Sequence, residues 1–202
     1  MDGYSSVLLK DMIEELGEKE TKIILSQFSC PLNMDVESFL HNSAIEFARQ
    51  SISATHLVFS SYKNELVIVG YFTLANKNII VSNNSSISKT QRKRINKFGI
   101  YDPDRKGYRI SAPLLAQLGK NYSSGYNKLI TGDELLLLAC KKVSHVQELI
   151  GGKIVYLECE DKPSLIDFYA SNGFVSFGQR ALDRDETEVL SGQYLIQMLK
   201  YL

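Results

Sequence analysis

A helix, an apolar strand and a second helix follow one another in the C-terminal half of the chain, and this succession limits the folds open to it. The first predicted helix covers residues 131–150, starts with capping-box spacing and ends at a Gly-Gly pair. The run KIVYLEC (153–159) is almost continuously apolar, which predicts a strand buried on both faces. A short helix over 163–172 has proline near its start and glycine just past its end. A strand between two helices is typical of an α/β sheet.

The rest of the chain alternates between strand-like and helix-like patterns. The predicted elements are a helix over 5–16, a strand over 21–28, a helix over 35–49, a hairpin of strands over 55–61 and 66–75, a strand over 108–118 and two final strands over 174–182 and 193–202. A polar and then basic stretch at about 83–107 is predicted to leave the sheet as an excursion. This order predicts one mixed sheet with helices on its faces.

Length, charge and cysteine content limit the number of domains, the partners and the cellular compartment to be expected. The chain has 202 residues, enough for one domain with a substantial core, and we predict a single domain over residues 1–202. Lys plus Arg and Asp plus Glu number 23 each, so a charged partner must be met by a local patch. Three cysteines without a CxxC pair favour a reducing compartment, and the N-terminus lacks the pattern of a secretory signal. We expect a cytoplasmic protein with no membrane contact.

A polar loop, residues 119–130, leads from the strand over 108–118 into the helix that begins near Thr131. The first N–H groups of a helix have no intrahelical acceptor, and its N-terminus carries a partial positive charge, so such a junction can hold a pyrophosphate. Gly132 would let a phosphate approach the backbone closely. A glycine at this kind of junction also serves the turn alone, so the pattern by itself leaves both interpretations open.

A second informative segment lies in the last predicted helix, where three residues separate Phe168-Tyr169 from Gly173-Phe174. It resembles the FYxxxGF segment of GNAT acetyltransferases, and the order of elements from Thr21 onward is similar to that family as well. The resemblance implies a GNAT-type α/β fold with a mixed, mostly antiparallel central sheet and helices on both faces. It also implies an N-acetyltransferase that moves acetyl from its cosubstrate acetyl-CoA directly to an amine of a small molecule, peptide or protein.

In GNAT enzymes the strand, loop and helix upstream of this segment bind acetyl-CoA. By resemblance, Leu118 and Gly119, next to Gln117, would offer backbone groups to the pantetheine arm. The remaining cofactor-binding positions implied are Lys128, Leu129, Ile130, Thr131 and Gly132. The family's loop usually reads Gln or Arg, two residues, Gly, one residue, then Gly or Ala. Only its last glycine matches here, and Lys128 or Lys120 could restore positive charge to the loop.

The resemblance places Tyr169 near the thioester sulfur. A phenol with an ordinary pKa of about 10 is protonated at neutral pH and can donate a proton to the departing thiolate. Phe168 and Tyr169 also fit the role of core aromatic residues in a short helix, so catalysis and packing are both open at this position.

A basic cluster in the excursion supports an alternative function. Its members are Lys89, Arg92, Lys93, Arg94 and Lys97. Lysines and arginines at helical spacing can bind phosphates, although a cluster this short is more commonly a solvated helix surface. Some GNAT relatives acetylate aminoacyl-tRNA, so the alternative acceptor is aminoacyl-tRNA or another nucleic-acid-borne amine. A third interpretation is a GNAT-like interaction module without catalysis.

Other partners are less well defined by the sequence. His41, His56 and His145 lack ligand spacing, and no metal site is predicted. The amine acceptor stays unknown, because it is chosen by the helix after Pro31 and by loops without a motif. The oligomeric state is equally open, with a homodimer among the options.

Overall fold

The computed structural model describes residues 3–183 and 192–202. Its strands are β1 (Tyr4–Leu8), β2 (Ala54–Tyr62), β3 (Glu65–Ser82), β4 (Ile100–Asp102), β5 (Gly107–Lys120), β6 (Ile154–Glu160), β7 (Val175–Ala181) and β8 (Tyr194–Tyr201). Its α-helices are α1 (Leu9–Leu16), α2 (Glu18–Leu25), α3 (Met34–Ser38), α4 (Ala44–Arg49), α5 (Lys89–Phe98), α6 (Gly132–Ile150) and α7 (Pro163–Ser171). A π-helical turn (Phe39–Ser43) joins α3 to α4, and a 3₁₀ segment (Ser123–Lys128) precedes α6.

The strands belong to one sheet with the order β1-β2-β3-β5-β6-β8-β7, and β4 pairs with β5 outside this path. The pairs β1–β2, β2–β3, β4–β5, β6–β8 and β7–β8 are antiparallel. The register of β2 and β3 shifts between Val58 and Phe59, where a β-bulge interrupts the ladder. The predicted mixed, mostly antiparallel α/β fold is therefore confirmed.

The chain divides into two compact units, residues 1–75 with 115–139 and residues 76–114 with 140–202. The core of the first unit is built around buried side chains that include Leu9, Leu40 and Tyr71. The core of the second unit includes Ile95, Tyr156 and Leu199. The prediction of a single domain over the whole chain stays a prediction.

The first 25 residues depart from the predicted pattern in two places. The predicted helix over 5–16 was wrong in its first turn, because residues Tyr4–Leu8 pair with β2 as a strand and only α1 is helical. The predicted strand over 21–28 was wrong as well, since α2 covers most of it. Helix α2 buries Thr21 and Leu25, one turn apart, and the Thr21 hydroxyl donates to the Gly17 carbonyl at 2.8 Å. Tertiary packing thus overrides the strand preference of its β-branched residues.

Downstream of residue 34 the predicted elements are confirmed to within a few residues, except that the strand predicted over 66–75 continues to Ser82 as β3. The excursion over 83–107 contains the basic helix α5 and the short strand β4. None of the helices in residues 3–183 and 192–202 combines the length and apolar character that crossing a membrane would need.

Candidate functional site

The end of β5 packs closely against α3 within the first unit. A Cβ atom on Gly119 would lie 2.4 Å from Cγ1 of Val36, so the strand tolerates only glycine there. Two residues earlier, the Gln117 side-chain amide donates to Asp35 Oδ2 at 2.9 Å. Leu118 lies between them and is partly buried. Gln117 and Gly119 are therefore held against the start of α3.

Asn121, which directly follows β5, fixes the chain where it leaves the sheet. It is 1% exposed. Its Oδ1 accepts from the backbone N–H groups of Ser29 and Ser123, each at 3.0 Å. Its Nδ2 donates to the carbonyls of Gln27 at 3.3 Å and Ile68 at 2.9 Å. A buried amide with four partners anchors the loop that follows.

The loop after Asn121 is shaped by a local turn and by one lysine. Ser124 and Gly125 both adopt left-handed backbone conformations, with φ of 51° and 76°. The Lys120 ammonium donates to the Asn127 carbonyl at 3.0 Å and therefore stabilises the loop itself. Lys128 is exposed, and no acidic side chain in the described ranges forms an ion pair with it. Of the two loop lysines, Lys128 is the one available to a ligand.

The predicted capping box is present at the start of α6. Glu134 N–H donates to Thr131 Oγ1 at 3.1 Å, and the Glu134 carboxylate accepts from the Thr131 backbone N–H and hydroxyl, both at 2.8 Å. These bonds, the backbone one first, lower the pKa of Glu134. Of the two acidic side chains in the first turn, Asp133 and Glu134, it is Glu134 that is engaged by the helix cap.

Two backbone N–H groups beside the capping box are potential donors to an anionic ligand. Leu129 N–H donates to the Tyr126 carbonyl at 2.9 Å, and the Leu129 carbonyl accepts from the Tyr4 hydroxyl at 2.9 Å. The N–H groups of Ile130 and Gly132, in contrast, have no acceptor among residues 3–183 and 192–202. Ile130 is 2% exposed and Gly132 is partly buried, so the Gly132 N–H is the more accessible of the two. Two donors without an acceptor at a helix N-terminus, with Lys128 next to them in sequence, form an arrangement that can bind a phosphate.

Tyr169 lies on α7 in the second unit. Its ring is partly buried and makes edge contacts with Phe168, at a centroid distance of 5.0 Å, and with Phe174, at 5.8 Å. Burial, and to a lesser extent the nearby Cys159 thiol, raises the pKa of Tyr169 above its ordinary value. Its hydroxyl makes no hydrogen bond to any residue that the structure describes. The phenol therefore keeps its proton at neutral pH and can offer it to a ligand.

The structure thus brings eight predicted site residues together in the first unit and has the ninth, Tyr169, in the second. Sequence reasoning missed Asp35, Asn121 and Tyr4. The partner of Asp35, Gln117, is 82 residues away in sequence, and the partner of Tyr4, Leu129, is 125 residues away. No local motif announces such pairs. In the described part of the chain, no group of three His, Cys, Asp or Glu side chains could hold a metal ion.

Comparison with solved structures identifies proteins of similar fold. No protein-family model matches the chain, and no curated protein matches it in sequence. Among solved structures, a tyrosine-to-phenylalanine mutant of KacT matches with a TM-score of 0.62 and 15% identity over 96% of this chain and 94% of that one. AtaT complexed with acetyl-methionyl-tRNAfMet matches with a TM-score of 0.60 and 17% identity over 96% of this chain and 93% of that one.

A tyrosine-to-phenylalanine mutant of the AtaT toxin, bound to acetyl-CoA and the C-terminus of the antitoxin AtaR, also matches. Its TM-score is 0.60, with 16% identity over 99% of this chain and 94% of that one. These toxins are GNAT-fold proteins. The chain has the GNAT fold. At these identities the likeness concerns the fold, and the function of this GNAT-fold chain has to be argued from its own residues.

Proposed function

We propose that this GNAT-fold protein is an N-acetyltransferase that uses acetyl-CoA as cosubstrate. The observation that carries the proposal is that the N–H groups of Ile130 and Gly132, at the start of α6, have no acceptor among the described residues. They suit the pyrophosphate of coenzyme A, with Lys128 adding positive charge. The AtaT structure with bound acetyl-CoA supports the same cosubstrate. Backbone groups of Leu118 and Gly119, beside Gln117, would hold the pantetheine arm, while Leu129 and Thr131 build the turn.

The proposed reaction is a direct transfer. The amine nitrogen of the acceptor attacks the thioester carbonyl carbon, the new C–N bond forms and the C–S bond breaks. The nitrogen loses a proton, and the departing thiolate of coenzyme A gains one. We assign the second proton to Tyr169, because its phenol is protonated at neutral pH and its hydroxyl has no hydrogen-bond partner among the described residues.

Replacing Gly132 by glutamate is expected to raise the Kd for acetyl-CoA about tenfold, a loss of about 1.4 kcal/mol. The new side chain would restrict the approach of phosphate to the backbone, and its negative charge would repel the pyrophosphate. Isothermal titration calorimetry with acetyl-CoA measures the effect.

Gly3→Glu is the matched control for this substitution. Gly3 belongs to the same unit and is exposed, and a Cβ atom there would have no heavy atom within 4 Å. The substitution therefore adds the same charge without altering packing. Equal affinity of Gly132→Glu, Gly3→Glu and the wild type would refute the assignment of the pyrophosphate site. A wild type that binds no acetyl-CoA would favour the non-catalytic interaction module instead.

A second candidate acceptor, an amine carried by tRNA, is favoured by the charge of the excursion. Residues 83–107 contain seven Lys or Arg and two Asp side chains, a net charge of +5 in a chain whose net charge is +0. Such a concentrated positive segment is suited to a phosphate backbone. The structure of AtaT with acetyl-methionyl-tRNAfMet supports the same class of acceptor.

The structure separates the cations of this cluster into two groups. The Arg92 guanidinium donates to the carbonyls of Ser82, Asn83 and Ser85 and so stabilises the preceding loop. Arg94 lies over the ring of Tyr201, 5.4 Å from its centroid. The three lysines, Lys89, Lys93 and Lys97, are exposed and spaced four residues apart, which aligns them along one face of α5. We propose that these lysines, more than the arginines, contact nucleic acid.

The triple variant Lys89→Glu, Lys93→Glu and Lys97→Glu is therefore expected to lose most of its affinity for tRNA. The slope of log K against log salt concentration should fall by about one for each lysine that contacts a phosphate. Filter binding over a range of salt concentrations measures both quantities. The control reverses three exposed lysines elsewhere, Lys10, Lys19 and Lys153, and has the same net charge. Equal loss in both triple variants would mean that only net charge matters.

A further inference from the structure

One side chain joins the first strand of the sheet to the loop that leads into α6. Strand β1 lies at the edge of the sheet, where it pairs with β2 and Tyr4 lies opposite Ser60. The Ser60 hydroxyl donates to the Gly3 carbonyl at 3.1 Å, which fixes the backbone just before Tyr4. The Tyr4 ring is partly buried, and its hydroxyl donates to the carbonyl of Leu129 at 2.9 Å. The edge strand is therefore attached to the loop.

The hydrogen bond from Tyr4 holds one particular peptide group. The Leu129 carbonyl and the Ile130 N–H belong to the same planar trans peptide, so they point in opposite directions. A donor that fixes the direction of the carbonyl therefore also fixes the direction of the N–H. The Ile130 N–H is one of the two donors that we propose for the pyrophosphate. Tyr4 thus determines the direction of this donor from the opposite side of the peptide.

The peptide groups on either side have hydrogen bonds of their own. Leu129 N–H donates to the Tyr126 carbonyl at 2.9 Å. Thr131 N–H donates to the Glu134 carboxylate at 2.8 Å. For the peptide group between these two, the bond from Tyr4 is the only hydrogen bond to any residue that the structure describes. Without it, this group could rotate while both of its neighbours stay in place.

The surroundings of Tyr4 favour its role as a donor. Burial, and then the nearby Glu134 carboxylate, raise the pKa of Tyr4 above its ordinary value. The phenol therefore keeps its proton at neutral pH and can donate it in a hydrogen bond. Glu134 is also the acidic member of the capping box of α6. The Tyr4 hydroxyl thus lies close to both the loop and the first turn of the helix.

We propose that Tyr4 is a positioning residue for the cosubstrate, whose hydroxyl orients the peptide group between Leu129 and Ile130 so that the Ile130 N–H meets the pyrophosphate of acetyl-CoA. The inference rests on the proposed acetyltransferase function and gives the edge strand β1 a role in binding the acetyl donor. Because Tyr4 acts through the loop backbone, its effect should be confined to ligands that carry a pyrophosphate.

The test compares two acetyl donors that differ in the pyrophosphate. Acetyl-CoA carries it, whereas S-acetylpantetheine has the same thioester and pantetheine arm without any phosphate. Tyr4→Phe should raise the Kd for acetyl-CoA about 3- to 10-fold, the usual net effect of one hydrogen bond, and leave the Kd for S-acetylpantetheine unchanged. Calorimetry measures the Kd for acetyl-CoA, and competition against acetyl-CoA measures the Kd for S-acetylpantetheine.

A second measurement follows the backbone donors themselves. When isotope-labelled protein is titrated with inorganic pyrophosphate, the amide NMR signals of Ile130 and Gly132 should both shift in the wild type. In Tyr4→Phe the shift of the Ile130 signal should be much smaller, while that of Gly132 remains. Loss of stability alone would affect both signals alike, so this pattern separates positioning from folding.

Tyr62→Phe is the matched control. Tyr62 ends β2 in the same unit, is partly buried and contacts the ring of Tyr126 in the loop, at a centroid distance of 5.7 Å. Its hydroxyl makes no hydrogen bond within the described part of the chain, so this variant should bind acetyl-CoA like the wild type.

The outcomes separate the inference from the proposed function. If the wild type binds neither acetyl-CoA nor pyrophosphate, the proposed function is wrong. If the wild type binds acetyl-CoA and Tyr4→Phe binds it equally well, the function stands and the positioning role of Tyr4 is wrong. The same conclusion holds if Tyr4→Phe weakens the binding of acetyl-CoA and S-acetylpantetheine by the same factor, because the effect would then not depend on the pyrophosphate.

Discussion

Tyr169→Phe is expected to lower kcat by about 10²- to 10⁴-fold, the usual contribution of a general acid, while the Kd for acetyl-CoA changes little. The substitution keeps the ring and its edge contacts with Phe168 and Phe174 and removes only the hydroxyl. That hydroxyl has no hydrogen-bond partner in the described ranges, so its loss should cost little stability. Steady-state kinetics with an acceptor found by screening amines, peptides and charged tRNAs measures the effect.

Tyr108→Phe provides the control, because Tyr108 is also partly buried, makes an edge contact with another ring and belongs to the same unit.

Burial raises the pKa of Tyr169, so its phenol should remain protonated well above pH 7. Deprotonation of Tyr169 should therefore not lower kcat between pH 7 and about pH 9. A Tyr169→Phe enzyme with undiminished kcat would mean that the side chain only packs.

The second large effect concerns stability. Asn121→Ala is expected to lower the free energy of unfolding by about 3 kcal/mol, because truncation leaves two N–H donors and two carbonyl acceptors around a buried position without their partner. The loop between α2 and α3 and the loop leading to α6 both depend on this side chain. Urea denaturation followed by circular dichroism gives the change.

Asn96→Ala is a suitable comparison, since Asn96 is exposed on α5 and its substitution should change the free energy of unfolding by less than about 0.5 kcal/mol. The midpoint and the slope of the transition should be compared, because a changed slope would indicate an altered denatured state. A loss for Asn121→Ala no larger than that for Asn96→Ala would contradict the anchoring role.

Local sequence was sufficient for the elements whose signals are short in range. The capping box of α6 joins residues three apart, and proline and glycine mark the two ends of α7. The hairpin of β2 and β3 and the apolar strand β6 follow from patterns of the same local kind. With the FYxxxGF-like segment, these were enough to predict the GNAT fold and to name nine candidate site residues, whose roles remain predictions.

What only the tertiary structure decided are the features that depend on partners distant in sequence. Residues Tyr4–Leu8 form a strand because they pair with β2. Helix α2 forms because the face that carries Thr21 and Leu25 is buried. The Gln117–Asp35 bond spans 82 residues, so no local pattern could place an acidic group at the end of β5. The contacts of Arg92 with loop carbonyls and of Arg94 with the Tyr201 ring likewise required neighbours that only folding supplies. Local propensity acts over a few residues, whereas packing and hydrogen bonding join residues that only folding brings together.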